Sequence, residues 1–323
     1  MKYDLIIIGS GAAGLSAAIY AKRYKMEILV VQGEFGGETA TAGKIENWPG
    51  TKSIDGLELM QEMREQAKGD GVTFEKGKAE KITSDGNCFV VTVGEKEFQG
   101  NTVILAIGSQ RRHLGLPNEK ELTGKGVHYC VTCDGPVYNG KKVAMIGGGD
   151  SSVKGVNFLA EYAEKIYLIV RGKEVLAEPV NLEKMKKLGD KVEVLLEHEI
   201  KEIVGEKFLE KLVLSSSNHK PGEELDDLVV DGMFVEIGFD PDRTFAEQLG
   251  IELDEQGYMK VDNFMKTNVP GVFAAGDATS HFGRFKQDIT ASALGAVAAT
   301  SSYEYYQTKG DFCELHGKVS DTK

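Results

Sequence analysis

Apolar and polar residues alternate along this chain with two periods, and the places where one period gives way to the other mark its elements. Leu5 to Ile8 is an unbroken apolar run, followed by the glycine turn Gly9–Gly14, an alanine-rich stretch of helical spacing and a second apolar run, Ile28 to Val31. Strand, turn, helix and strand in that order predict a βαβ opening with a parallel sheet. A glycine-rich loop then covers 33–50 and closes in Asn47-Trp48-Pro49-Gly50. The spacing next predicts a helix from about Gly56 to Lys68, with Met60 and Met63 as core residues. Residues 72–105 alternate in strand fashion and predict an antiparallel layer with hairpins, in which Cys88 reads as a small buried hydrophobe.

The apolar strand Val103–Ile107, ending at Gly108, recurs in shape as Met233–Ile237, ending at Gly238. Between them lie a second strand (Val143–Ile146), a second glycine turn (Gly147–Ser152), a helical stretch to about Ala163 and a strand over Ile166–Val170. The chain therefore carries two dinucleotide-binding units of one plan, the second inserted into the first. The expected class is α/β, with two three-layer Rossmann-like domains. Arg111–Lys125 and Phe239–Arg243 read as hinge loops. An apolar strand ending in Gly276-Asp277 and an alanine-rich helix from Ile289 to about Tyr306 follow, and the polar segment from Gly310 carries Cys313 as an incidental thiol.

Composition narrows the function class. A chain of 323 residues suits two domains of ordinary size. No apolar run approaches the roughly 20 residues that span a bilayer, and the N-terminus lacks the small-residue cleavage site of a secretory signal. A net charge of −12 repels phosphate, which argues against nucleic acid and anionic membranes as partners. Four cysteines are too few for a disulfide scaffold, and two of them sit at CxxC spacing, which suits a reducing compartment and so the cytoplasm.

That pair, Cys130 and Cys133 with Asp134 beside it, is the centre of the candidate chemistry. Two intervening residues let the sulfurs close a small disulfide, and such pairs carry thiols of depressed pKa. The competing reading is half of a zinc site, which needs two further ligands, whereas Cys88 and Cys313 are isolated singles. Gly9, Gly11 and Gly14, with Ala12 and Ala13, form a GxGxxG turn between two strands. Such a turn offers a tight bend, close approach to a pyrophosphate and a helix N-terminus that favours an anion. Gln32 stands at the end of the second strand, where a ribose-binding acid is usual.

Taken in order, GSGAAG, GGET with ENWPG, AIGS, CVTCDG, GGGDSS, GVFAAGD and KQ before ITASA resemble the low-molecular-weight, bacterial-type thioredoxin reductases over nearly the whole chain. The resemblance implies an FAD domain of residues 1–112 and 243–323, with a pyridine-nucleotide-type domain of 113–242 inserted and carrying the CxxC pair. It also implies a homodimer with thioredoxin or a similar protein as partner. Gly9, Gly11 and Gly14 would hold the FAD pyrophosphate, Gly37, Glu38 and Asn47 would line the flavin side, and Asp277 would meet the ribityl chain. Lys286 and Gln287 take the place of the family's Arg-Gln at the pyrimidine edge, and Glu38 the place of a glutamine. Electrons would pass from FAD to Cys130–Cys133, with Cys133 nearer the flavin and Asp134 exchanging a proton with the departing thiol.

The family pattern breaks at the electron donor. NADPH-dependent members carry His-Arg-Arg and a further arginine, because a 2′-phosphate wants several guanidinium forks. Here the stretch reads Val170-Arg171-Gly172-Lys173, with Leu176 at the distal position. Ser152 replaces the third small residue of the second fingerprint, and Lys154-Gly155 replaces an acidic pair. Two donor readings stand: NADPH held by Gly147, Gly149, Asp150, Ser151 and Arg171, or a non-nicotinamide donor such as ferredoxin, which the sequence favours. An FAD-dependent dithiol oxidase and a redox-sensing flavoprotein are the alternatives in function.

Overall fold

The computed structural model describes residues 2–84, 88–216, 226–283 and 285–309. The chain forms two compact units, Met1–Gln110 with Pro241–Lys323, and Arg111–Asp240. Among the described residues no helix is long and apolar enough to cross a membrane.

The first unit is built on a seven-stranded sheet. Lys2–Ser10 lies at its centre, with Ile28–Phe35 parallel on one side and Lys96–Leu105 parallel on the other. Leu5, Ile6 and Ile7 are fully buried, which is why this strand reads as a continuous apolar run and not as an alternation. Lys96–Leu105 divides its far edge: its first half pairs antiparallel with Phe89–Val93, and Val103–Leu105 pairs parallel with Val272–Ala274. Ala79–Ser84 continues the antiparallel side. Val72–Lys76 does not belong to that layer. It pairs parallel with Ile28–Phe35, because the preceding helix, Gly56–Ala67, returns the chain as a crossover. Met60 and Met63 of that helix are buried, as expected.

Two helices cross this sheet in close contact. Ala12–Arg23 lies against Asp288–Lys309, where Ser16 Oγ donates to the Ser292 carbonyl at 2.7 Å. A Cβ on Gly295 would stand 2.1 Å from the Ala13 carbonyl oxygen, so the approach requires glycine there. The long helix extends three residues past the end expected from its alanine pattern, and Tyr303 stacks on Tyr24 at 4.6 Å.

The second unit has a five-stranded parallel sheet in the order Val127–His128, Gly232–Val235, Lys142–Ile146, Lys165–Val170, Val192–Leu196. A three-stranded antiparallel sheet, His198–Val204, Lys211–Ser216 and Asp226–Val229, completes it. The segments expected as plain hinge loops are not wholly irregular, since Arg111 ends the short strand Ser109–Arg111 and Phe239–Pro241 is a strand. The loop leading into Val127–His128 is organised by Glu119, which is buried and accepts from the amides of Leu114, Gly115 and Leu116 and from the Tyr129 hydroxyl. Those donors outweigh the effect of burial and hold its carboxyl below the usual range.

Cys88 is buried, as expected, but it is held in a disulfide and is not a free hydrophobe. Cys313 lies outside the described residues.

Candidate functional site

Cys130 and Cys133 are joined as a disulfide with their Cα atoms 5.3 Å apart. The four-residue helix Val131–Asp134 brings them together, and the Cys133 amide donates to Cys130 Sγ at 3.2 Å while the Asp134 amide donates to the Cys130 carbonyl. Cys133 is exposed and Cys130 half-buried. Among the described residues no cluster of three or more His, Cys, Asp or Glu side chains gathers that could hold a metal, so the two sulfurs have each other as partners and no zinc-type ligand set.

The helix rests on Asp150–Leu159. Val131 is buried there, and a Cβ on Gly155 would stand 3.2 Å from its Cγ2 and 2.5 Å from Met145 Cε. The glycine that interrupts the family's acidic pair thus makes room for the dithiol helix. Lys154 turns back to Asp150, Nζ to Oδ2 at 2.9 Å.

Asp134 sits beside Cys133 with its side chain 40% exposed, and its Oδ2 is 3.0 Å from Nδ1 of His128. His128 is buried, and its Nε2 is 2.7 Å from the Tyr138 hydroxyl. Neither His128 nor Tyr138 stood out in the sequence. The signal available was only a histidine two residues before a CxxC pair, which carries no periodicity.

The two glycine turns are built alike. Gly9 has φ +110° and a Cβ there would stand 2.2 Å from the Ala106 carbonyl oxygen; Gly147 has φ +130° and its Cβ would stand 2.1 Å from that of Glu236. In each unit the turn is pressed against the end of the neighbouring parallel strand. At the third position a Cβ on Gly14 would stand 2.1 Å from the Gly9 carbonyl oxygen, whereas Ser152 is accommodated and donates to the Glu236 carbonyl.

The first turn fits a flavin dinucleotide. Gly11 is the N-cap of the 12-residue helix, no side chain caps it, its first turn holds no acid, and an added Cβ would meet nothing nearer than 3.7 Å. The amides of Ala12, Ala13 and Gly14 at this helix N-terminus are the donors that suit an anion. Gln32 is buried and its Oε1 has no hydrogen-bond partner, an acceptor waiting for a donor such as a ribose hydroxyl. Gly37 and the exposed Glu38 lie on the short helix Gly37–Thr41, which Thr39 Oγ1 ties to Asp288 Oδ1 at 2.6 Å. Asn47 Nδ2 donates to Gln287 Oε1 at 2.9 Å. The structure therefore brings Gly37, Glu38, Asn47, Gln287 and Asp288 to one place, and Thr39 and Asp288 were missed because each is an ordinary helix-end residue by sequence.

Asp277 follows Gly276, whose φ of +71° sets a tight turn. Burial, helped by the charges of Asp288 and Glu38 and opposed by Lys286, pushes its carboxyl above the usual range. Lys286 does not reach outward. Its Nζ donates to the Asp277 and Thr279 carbonyls and lies 4.1 Å from the Tyr258 ring centroid, and burial lowers its pKa. It braces the Asp277 turn.

The second turn is closed by its own chain. Leu176 N–H donates to the Gly148 carbonyl, and Asp150 accepts from the Glu178 amide and Asn181 Nδ2. Burial opposes ionisation of Asp150, but Lys154, Asn181 and the Glu178 amide hold its carboxyl below the usual range. Arg171 and Lys173 are exposed, and Leu176 is 70% exposed at the position of the distal arginine.

A sequence model of the pyridine nucleotide-disulphide oxidoreductases matches residues 3–299. A thioredoxin reductase of Mycolicibacterium smegmatis is 40% identical over 300 residues, covering 92% of this chain and 94% of its own. The structure of Lactococcus lactis thioredoxin reductase superposes with a TM-score of 0.89 at 33% identity, covering 95% of this chain and 99% of its own. A ferredoxin-flavin thioredoxin reductase from Clostridium acetobutylicum, also 33% identical with the same coverage, superposes with a TM-score of 0.51.

Proposed function

Since the chain belongs to the pyridine nucleotide-disulphide oxidoreductases, and among them to the thioredoxin reductases, we propose that it passes electrons from FAD through Cys130–Cys133 to the disulfide of thioredoxin or a similar protein. The joined Cys130–Cys133 pair with Asp134 at its side carries this reading. Bound FAD supplies the electron pair that opens the disulfide. The amides of Ala12, Ala13 and Gly14 hold the pyrophosphate, Gln32 takes a ribose hydroxyl, and Asp277 orients the ribityl chain. Asn47 and Gln287, bonded to each other, would line the flavin side with Gly37 and Glu38. Met1–Gln110 with Pro241–Lys323 is then the FAD domain, and Arg111–Asp240 the domain that presents the dithiol.

Asp134 gives a proton to the departing thiol as the disulfide opens and takes one back when the dithiol attacks the partner's disulfide through a mixed disulfide. The enzyme works as a homodimer in the cytoplasm, a compartment in which such a pair can cycle.

For the electron donor we place ferredoxin or another non-nicotinamide reductant ahead of NADPH. Arg171 alone remains of the arginines a 2′-phosphate needs, Leu176 is exposed where the last of them belongs, and a relative of equal identity is a ferredoxin-flavin enzyme by name. The retained turn at Gly147 supports the NADPH reading, with Gly149, Asp150 and Ser151 beside the phosphates. Anaerobic mixing of oxidised holoenzyme with NADPH, NADH or reduced ferredoxin decides between them by flavin absorbance. Bleaching by ferredoxin alone is expected, and rapid stoichiometric bleaching by NADPH overturns the preference.

A further inference from the structure

His128 ends the short strand Val127–His128 and is 6% exposed. Its ring lies on Phe234 at 5.3 Å and 28°, a contact that any flat apolar side chain could make. What an apolar side chain could not make are the two polar contacts, Nδ1 to Asp134 Oδ2 at 3.0 Å and Nε2 to the Tyr138 hydroxyl at 2.7 Å. A neutral imidazole has one donor and one acceptor nitrogen, and its partners decide which is which. Tyr138 is 5% exposed, and the Asp134 carboxylate opposite Nδ1 can only accept, so Nδ1 is the donor and Nε2 accepts from the Tyr138 hydroxyl. The remaining ring proton is thereby placed on Nδ1, facing the carboxylate.

We propose that His128 is a positioning residue for the dithiol chemistry: held by Tyr138 in one tautomer, it grips a single oxygen of Asp134 and leaves the other for the sulfur that departs when Cys130–Cys133 opens. This rests on the role given to Asp134 above. Reduction breaks the S–S bond and forms two S–H bonds from two electrons and two protons. The electron pair comes from the enzyme's reductant, or in the test from dithiothreitol, whose two thiols become a disulfide. The sulfur that departs first takes its proton through the free Asp134 oxygen, the other sulfur takes its proton from solvent when the mixed disulfide is resolved, the two protons shed by the dithiothreitol thiols balance these, and the Nδ1 proton of His128 stays in place throughout.

The test follows reduction of Cys130–Cys133 by dithiothreitol in the full-length holoenzyme, quenched by alkylation and read by peptide mass. It therefore does not depend on turnover. Asp134→Asn should slow the reaction about 100-fold, as loss of a general acid does. His128→Leu, which fills the space, should slow it roughly 10- to 100-fold by misplacing that acid. His128→Asn, whose amide can stand where Nδ1 stands but cannot shuttle a proton, should return most of the lost rate. The His128→Leu, Asp134→Asn double variant should be no slower than Asp134→Asn alone. Losses that multiply in the double variant would mean the residues act independently, and that result, a wild-type rate for His128→Leu beside a slow Asp134→Asn, or no recovery in His128→Asn, overturns the proposal for His128 alone. A wild-type rate for Asp134→Asn overturns the role of Asp134 as well.

Discussion

Ser152 Oγ donates to the Glu236 carbonyl at 3.0 Å, the same oxygen that a Cβ on Gly147 would meet at 2.1 Å. The fully buried hydroxyl thus ties the helix start to the end of the neighbouring strand by a hydrogen bond, at the position where the first unit has Gly14 and a Cβ would stand 2.1 Å from the Gly9 carbonyl oxygen. Ser152→Ala should cost about 1 kcal/mol in urea unfolding of the second unit. Gly14→Ser should prevent folding of the first, because its Cβ has no room whatever its hydroxyl does.

Gly9 and Gly11 should separate folding from cofactor retention. Gly9→Ala forces a Cβ to 2.2 Å from a backbone oxygen at φ +110° and should leave little soluble protein. Gly11→Ala meets nothing within 3.7 Å and should give apoprotein of unchanged melting temperature, while the ratio of flavin to protein absorbance in the purified enzyme falls.

Cys133→Ser should retain FAD and lose thioredoxin reduction altogether, measured with an external reductant competent to bleach the flavin. Retained reduction would refute the role of the pair.

Two carboxyl groups should leave opposite marks on stability against pH. Glu119 has a lowered folded pKa, so its contribution is present above the unfolded value of about 4.3 and is lost as pH falls through the folded value. Glu119→Gln should cost about 2 kcal/mol at pH 7 and progressively less below pH 4. Asp277 has a raised folded pKa, so its contribution is present below the unfolded value of about 3.9 and is lost as pH rises through the folded one. Asp277→Asn should therefore raise the melting temperature of the apoprotein at pH 7 and leave it unchanged near pH 3. Thermal scans of apoprotein variants across pH 3–8 check both signs.

What was legible in the sequence was local. Gly9–Gly14, Gly147–Ser152 and Cys130–Cys133 declare themselves within six residues, because backbone geometry at a turn or between two sulfurs depends on immediate neighbours. Val72–Lys76 misled because its apolar pattern suits either orientation, and the crossover helix before it decided for parallel pairing. The grip of His128 on Asp134 and the inward turn of Lys286 depend on side-chain direction across separate elements. Residue type and spacing carry no trace of either. Cys88 was misread for a similar reason, since a buried half-cystine and a buried thiol are the same letter in the same pattern.

The backbone under the two redox sulfurs is fixed from below. Val131 fills the space left by Gly155, a Cβ on Gly135 would stand 3.1 Å from the Phe158 ring, and the Asp134 amide is bonded to the Cys130 carbonyl. Opening the disulfide is therefore confined to rotation of two cysteine side chains, with the peptide chain as a stationary anvil beneath them. Little backbone rearrangement need accompany each arrival or departure of an electron pair, and the direction of exchange is then left to the difference in reduction potential between the pair and its partners.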